Sequence, residues 1–435
     1  MIRRVVVTGL GIISPVGNNT EEAWSSLLAG QSGIGSLSTI SYPSFPAKAA
    51  GEVKNFNPRD YHIKPKSLKL MNRTIQFAIA ASGLAMTDAG ICEETYPPEN
   101  AGLALGVDGV QYSTEEFLLA CYESTGKDLK IYVSPESPYA DISIHTRDPG
   151  LSVHPLWSLS VLANMSLCHI SIQQQLQGPN LAFSSIDASG AHAIGEAFRS
   201  IQYGESDLYL AGGSYALNTM TFMSLSALGL LSDKNETGPV FDACNKGLLL
   251  GEGAVVMVLE EKEAAKKRGA RIYAEINGYA SSYGSSSFVD LSLQTPDASG
   301  LANCIQQSLT DASLSPAAID FINADGRPGI QGRSPEIAAL ESVFGENAGS
   351  IPVSTAKSLT GHMLPATGAF DAASTVLSIY HDLIPPAGRQ PDNEVLSRLH
   401  LVTRQPLATP VHYAVSNTFG ISGEHTSLVF TKHES

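Results

Sequence analysis

Apolar residues along this chain fall into two alternating rhythms. Short apolar runs at 3–10, 102–107 and 208–211 have the length of strands, and between them stretches such as 75–89 carry apolar residues at helical spacing. Strands that alternate with helices predict parallel sheet covered by helices, an α/β architecture. Leu181, Ala182 and Phe183 read as the end of a buried strand, and the small residues from Ser185 to Ser189 as a tight turn. Ala193, Ile194, Ala197 and Ile201 then form one face of a helix that Gly204 can end. A basic stretch, Lys262, Lys266, Lys267, Arg268 and Arg271, reads as the solvated face and last turn of a helix starting near Glu260. A new strand is expected over 271–279, and its exit into Ala280-Ser281-Ser282 resembles that of the first strand into Gly9-Leu10-Gly11. Residues 108–156, rich in Tyr, Ser, Pro and Asp, have weak periodicity.

The turn at 185–189 places Asp187 at a helix N-terminus, where free backbone N–H groups and the helix dipole stabilise an anion. A cysteine there would be favoured as the thiolate and primed for acyl transfer. A carboxylate gains the same stabilisation and is a poor acyl acceptor. On local grounds Asp187 is an N-cap. His169 and His192 lie in helical patterns as partly buried, satisfied histidines.

Composition narrows the possibilities. With 435 residues and 43% hydrophobic content, the chain can bury a large core. No apolar run approaches the ~20 residues of a membrane span, and the opening residues lead straight into a strand, so a soluble, cytoplasmic protein with no membrane partner is expected. Cysteines at 92, 121, 168, 244 and 304 show no CxxC spacing, which argues against disulfides and a metal site. No GxGxxG or P-loop is present to hold a nucleotide, so no cofactor is expected. A net charge of −15 makes nucleic acid an unsuitable partner.

Segments along nearly the whole chain resemble the β-ketoacyl synthase family of the thiolase fold. They are Val5-Val6-Val7-Thr8-Gly9-Leu10-Gly11-Ile12-Ile13-Ser14-Pro15-Val16-Gly17, Asn164-Met165, Gly178-Pro179-Asn180, Ala211-Gly212-Gly213, Phe241-Asp242-Ala243, Gly251-Glu252-Gly253-Ala254, Lys357-Ser358-Leu359-Thr360-Gly361-His362 and Ser416-Asn417-Thr418-Phe419-Gly420, in family order. The resemblance implies a thiolase-like α/β fold of two duplicated βαβαβαββ halves in a layered αβαβα arrangement. The halves fall at 1–260 and 261–435, with 108–156 as the insertion that packs across the dimer interface and caps the acyl tunnel. Gly109, Val110, Gln111, Tyr112 and Phe117 are the candidate tunnel residues there, each equally readable as ordinary interface packing.

Active members use one cysteine and two histidines. The cysteine position is Asp187. The first histidine lies in Ala-His-Gly-Thr, matched by Asn323-Ala324-Asp325-Gly326-Arg327, so its residue is Asp325; His362 matches the second, and the lysine five residues before it is kept as Lys357. The acidic residue of the following Gly-Asp becomes Arg333, and Arg-Asp-Gly-Phe becomes Asn245-Lys246-Gly247-Leu248. The gating loop becomes Gly420-Ile421-Ser422-Gly423-Glu424-His425 after Phe419, so Ile421 replaces the aromatic gate. Without a thiolate there is no acyl intermediate, and without an imidazole at 325 the enolate loses a donor worth on the order of 3 kcal/mol. Asp187 and Asp325 would raise each other's pKa unless paired, with Lys357 and His362 as the expected counter-charges in a salt-bridged cluster.

The resemblance implies a chain-length factor, the β subunit of a type II polyketide synthase, that forms a heterodimer with an active Cys-His-His ketosynthase and shapes the acyl tunnel during polyketide or polyene elongation. An acyl carrier protein reaches it through the complex, and being acidic needs a local basic patch on this acidic chain. Aspartate at 187, where such subunits often carry glutamine, leaves aryl polyene and other polyene systems equally open. Two alternatives stand beside it: an enzyme with altered chemistry (decarboxylase, hydrolase or acyltransferase) using Asp187, Asp325 and His362, and a homodimeric non-catalytic binding protein.

Overall fold

The computed structural model describes residues 2–40, 48–92, 94–109, 156–232, 238, 240–241, 247–284, 298–327, 334–388 and 398–434. Its main sheet has 11 strands. They are β1 (Val5–Ile13), β2 (Ala101–Gly106), β3 (Asn180–Phe183), β4 (Leu208–Tyr215), β5 (Gly253–Glu261), β6 (Ala274–Tyr283), β7 (Phe321–Asn323), β8 (Pro352–Ser354), β9 (His400–Leu401), β10 (Tyr413–Phe419) and β11 (Glu424–Thr431). Across the sheet they run β9-β8-β7-β10-β11-β6-β1-β5-β4-β2-β3.

Outward from the β1/β6 seam, both sides repeat one plan: β1-β5-β4-β2-β3 on one, β6-β11-β10-β7-β8 on the other. In each, the first two pairings are antiparallel and the next two parallel. The sides join where Val5, Val6 and Val7 pair with Ile276, Glu275 and Ala274.

Five helices matter for the site: α1 (Arg73–Ala89), α2 (Ser189–Tyr203), α3 (Ala298–Asp311), α4 (Pro335–Phe344) and α5 (Thr367–His381). Strand residues alternate between two faces, and the core divides accordingly. Leu103, Leu105, Val256 and Val258 pack with α1, whereas Ala104, Val255, Met257 and Leu259 face α2 and α5. In the other half Ile322, Val415 and Val429 pack with α3 and α4, and Phe321, Ala414, Leu428 and Phe430 face the central helices. The result is helix, sheet, helix, sheet, helix. α5 buries every residue from Thr367 to Ile379, as a helix enclosed on all sides must. A Cβ on Gly190 would stand 2.4 Å from the Pro365 carbonyl oxygen, so the start of α2 rests directly on the turn that opens α5. That contact brings residue 187 beside residue 362.

Several local expectations need correction. β3 is an exposed edge strand rather than a buried one, with Leu181 36% exposed, because among the described residues it ends the sheet and pairs on one side only. Helix Lys262–Lys267 begins two residues later than Glu260, since β5 continues to Glu261, whose side chain caps the helix. The basic stretch there is largely neutralised: Lys262 bonds Glu275 at 2.9 Å, Arg268 bonds the buried Glu260 at 2.6 Å, and Arg271 pairs with Asp88. The strand expected over 271–279 runs later, and Gly9-Leu10-Gly11 and Ala280-Ser281-Ser282 lie inside β1 and β6. Val110, Gln111, Tyr112 and Phe117, with most of 108–156, fall outside the described residues, as do Asn245, Lys246 and Arg333. No helix among the described residues is long and apolar enough to cross a membrane.

Candidate active site

Asp187 lies in a single turn of 3-10 helix, Ile186–Ala188, between β3 and α2. Its predecessor Ile186 has φ 46°, a strained value for a β-branched residue and the mark of a sharp elbow. This turn overturns the N-cap assignment: the cap position of α2 is Ala188, no side chain caps the helix, and the Asp187 carboxylate points elsewhere. Its Oδ2 accepts the Ile421 backbone N–H at 2.6 Å.

Asp325 follows β7 and is equally buried. Its Oδ2 accepts the Phe419 N–H at 3.2 Å, and its Oδ1 accepts the Arg327 Nε–H at 2.7 Å. The other arm of that guanidinium reaches Asp187, with Nη2 3.4 Å from Oδ2. Lys357 Nζ stands 3.3 Å from Asp325 Oδ2 and 2.5 Å from Asp371 Oδ2. Behind Asp325, Glu336 of α4 accepts the N–H groups of Asp325 and Gly326 at 2.9 and 2.8 Å.

His362 Nδ1 is 3.5 Å from Asp187 Oδ1 and accepts the Leu364 N–H at 3.3 Å, which places the ring proton on Nε2. Burial, then Arg327, pushes the imidazole pKa well below its usual value, so His362 is neutral. It is therefore not the expected counter-charge. Arg327 takes that part, with Lys357 serving Asp325 as expected.

The two aspartates differ electrostatically. Burial raises Asp187 to about 6, against the pull of Arg327 and with a push from Glu424. Burial would raise Asp325 too, but Arg327 and Lys357 outweigh it and hold it at about 2. Asp371, driven up by burial against Lys357, lies at about 6. Burial and the Asp325 charge also raise Glu336. Arg327 stays charged, its two carboxylate partners outweighing its burial.

The predicted residues thus divide. Asp187, Asp325, Lys357, His362, Phe419 and Ile421 come together. Gly109 lies exposed at the exit of β2, its N–H on Asp108 Oδ1 at 2.8 Å. Phe419 is buried with its ring edge-on to His425, centroids 5.6 Å apart. Sequence reasoning misses Arg327, Asp371 and Glu336 as site residues. Arg327 had a signal: a cation two residues from Asp325 across a glycine, which in the structure is left-handed with φ 70° and lets the chain turn the guanidinium back onto the carboxylate. Asp371 had another, a lone acid in an otherwise apolar or small-residue helix.

Chemically, among the described residues the site holds no thiol, and carboxylates stand at 187 and 325. Ser185 and His192 form a pair, Oγ to Nδ1 2.7 Å, but burial lowers His192 to about 4 and its Nε2 has no hydrogen-bond partner among the described residues. With no acid beside His192 among the described residues to stabilise an imidazolium, this pair is a poor base.

A layered duplicated fold with a strained elbow facing a buried histidine defines a ketosynthase-type protein of the thiolase-like fold. Residues 2–265 match the β-ketoacyl synthase N-terminal domain and residues 273–389 the C-terminal domain; the chain belongs to the β-ketoacyl synthase family. It is 34% identical over 438 residues to the 3-oxoacyl-[acyl-carrier-protein] synthase 2 of Vibrio harveyi and 31% identical over 437 residues to that of Coxiella burnetii, with 99% of both chains covered in each case. Among solved structures, the ishigamide ketosynthase/chain length factor superposes with TM-score 0.85 at 28% identity over 100% of both chains. A β-ketoacyl synthase from Burkholderia phymatum gives 0.85 at 29% identity, over 99% of this chain and 100% of that one. A type II polyketide synthase acyl-carrier protein in complex with its ketosynthase gives 0.81 at 28% identity, over 100% of both.

Proposed function

We propose that this chain is a non-condensing ketosynthase subunit, a chain-length factor that pairs with an active ketosynthase and shapes the tunnel in which the acyl chain grows. One observation carries this: the carboxylates of Asp187 and Asp325, which in this reading occupy the nucleophile and first-histidine positions, are both held by Arg327 and by backbone amides of the 419–421 segment. A carboxylate at 187 accepts no acyl group as a thiolate would, and an anion at 325 opposes an enolate. The relatives named as synthases share the family, and in this reading the departures from the family's motifs at 187, 325 and 421 separate this chain from condensing chemistry.

Two further observations favour a partnered subunit. Among the described residues β3 presents an unpaired edge with Leu181 exposed, the kind of edge that a second chain covers. Lys54, Arg59, Lys64, Lys66 and Lys69 are exposed with only Asp60 among them, a basic strip suited to an acidic carrier protein that the stretch at 262–271 does not supply. In this reading the chain divides at 260/261, and Phe419 and Ile421 line the tunnel. A condensation assay tests it: the purified chain, given an acyl thioester and malonyl carrier protein, forms no β-ketoacyl product. Product formed without contaminating ketosynthase would refute it.

A further inference from the structure

We propose that Arg327 is what shuts this site: its guanidinium fills the space between positions 187 and 325 that an acyl thioester would need, and through the two aspartates it holds the 419–421 segment down over position 187. This rests on 187 and 325 being lost catalytic positions, and adds to that loss a residue that actively closes the site.

An acyl carbonyl must come within about 3–3.5 Å of a nucleophile to react. Arg327 already has Nη2 3.4 Å from Asp187 Oδ2 and Nε 2.7 Å from Asp325 Oδ1, so a planar guanidinium spans the gap where that carbonyl would sit. A threonine, the family's residue in this segment, is too short to bridge both. The Arg327 side chain is only 17% exposed. A neutral thioester brings no charge to replace it, so displacing Arg327 would leave the buried Asp187 without its cation and Asp325 with Lys357 alone. The same two carboxylates accept the Ile421 and Phe419 N–H groups. Guanidinium, carboxylates and loop amides therefore form one connected set. Asp187 Oδ1, Arg327 Nη2 and His362 Nε2, which make no hydrogen bond among the described residues, mark the polar remnant of the pocket around it.

The test compares Asp187→Cys with Asp187→Cys/Arg327→Thr, leaving Asp325 to hold the guanidinium in the first. Each is exposed to hexanoyl-N-acetylcysteamine. The introduced thiolate attacks the thioester carbonyl, a new C–S bond forms as the old one breaks, and the departing N-acetylcysteamine thiolate takes up the proton that the introduced thiol released. Acylation is read by peptide mass mapping and divided by the rate of iodoacetamide alkylation of the same thiol, which corrects for changes in thiolate fraction. The expected ratio is about 100-fold higher without Arg327, the scale of a misplaced reacting group. Equal ratios would overturn the role of Arg327 and leave the non-condensing reading intact. Condensation by the wild-type chain would overturn that reading instead. If the double variant does not fold, hydrogen exchange on the wild type decides: the amide of Ile421, which lies beyond the end of β10, should exchange as slowly as those of β10 and β11, and loop-like exchange would overturn the proposal.

Discussion

Replacing Asp187 with asparagine probes the electrostatics of the closed site most cleanly, because the amide keeps the shape and removes the charge. Burial lifts this carboxyl from its ordinary value of 3.8 to about 6. About two pKa units correspond to about 3 kcal/mol. Below pH 4 the group is protonated in folded and unfolded chains alike, and costs nothing. Between about pH 4 and 6 the unfolded chain ionises this group while the folded chain still holds its proton, so stability falls, and the loss is complete above pH 6. Wild type therefore carries this penalty at pH 7.5, and the asparagine variant does not. The amide oxygen can still accept the Ile421 N–H, and its NH₂ can face His362 Nδ1, so little bonding is lost. Urea unfolding at fixed protein concentration should show Asp187→Asn more stable than wild type by about 1–3 kcal/mol at pH 7.5, the lower end allowing for a poorer fit of the amide, and equal to it near pH 4. Destabilisation at pH 7.5, or a gain that does not change with pH, would refute the reasoning.

Asp325 should behave in the opposite sense. Its pKa is held at about 2, so its stabilisation is present above pH 4 and fades as pH falls through 2; Asp325→Asn should cost about 2–3 kcal/mol at neutral pH by the same unfolding assay. Asp187→Cys alone should not restore condensation in a radiolabelled malonyl assay, because Asp325 still opposes the enolate, whereas adding Asp325→His should give partial activity. Leu181→Lys, which places a charge on the exposed edge of β3, should weaken subunit pairing by about 10-fold or more in analytical ultracentrifugation, with the monomer still folded.

Much of the fold was legible because its local signals and its packing agree. The small residues before α2, the apolar face at Ala193, Ile194, Ala197 and Ile201, and the left-handed Gly204 at its end all appear in the structure as their patterns suggest. The ordered motifs likewise led to 187, 325, 357 and 362 as neighbours. What escaped depends on long-range partners. β3 reads as buried from its apolar residues, and only sheet order makes it an edge. Lys262, Arg268 and Arg271 read as solvated until Glu275, Glu260 and Asp88 arrive from other elements. His362 reads as a counter-charge by its place in a motif, yet its neutrality depends on burial and on Arg327, neither of which a motif reports.

The central claim is that this chain has exchanged condensing chemistry for a closed site and a place beside an active subunit. Native mass measurement after co-expression with a Cys-His-His ketosynthase tests it most directly. A stable one-to-one complex is expected, condensing only through the partner's cysteine. Homodimers of this chain alone, with no complex formed, would contradict it.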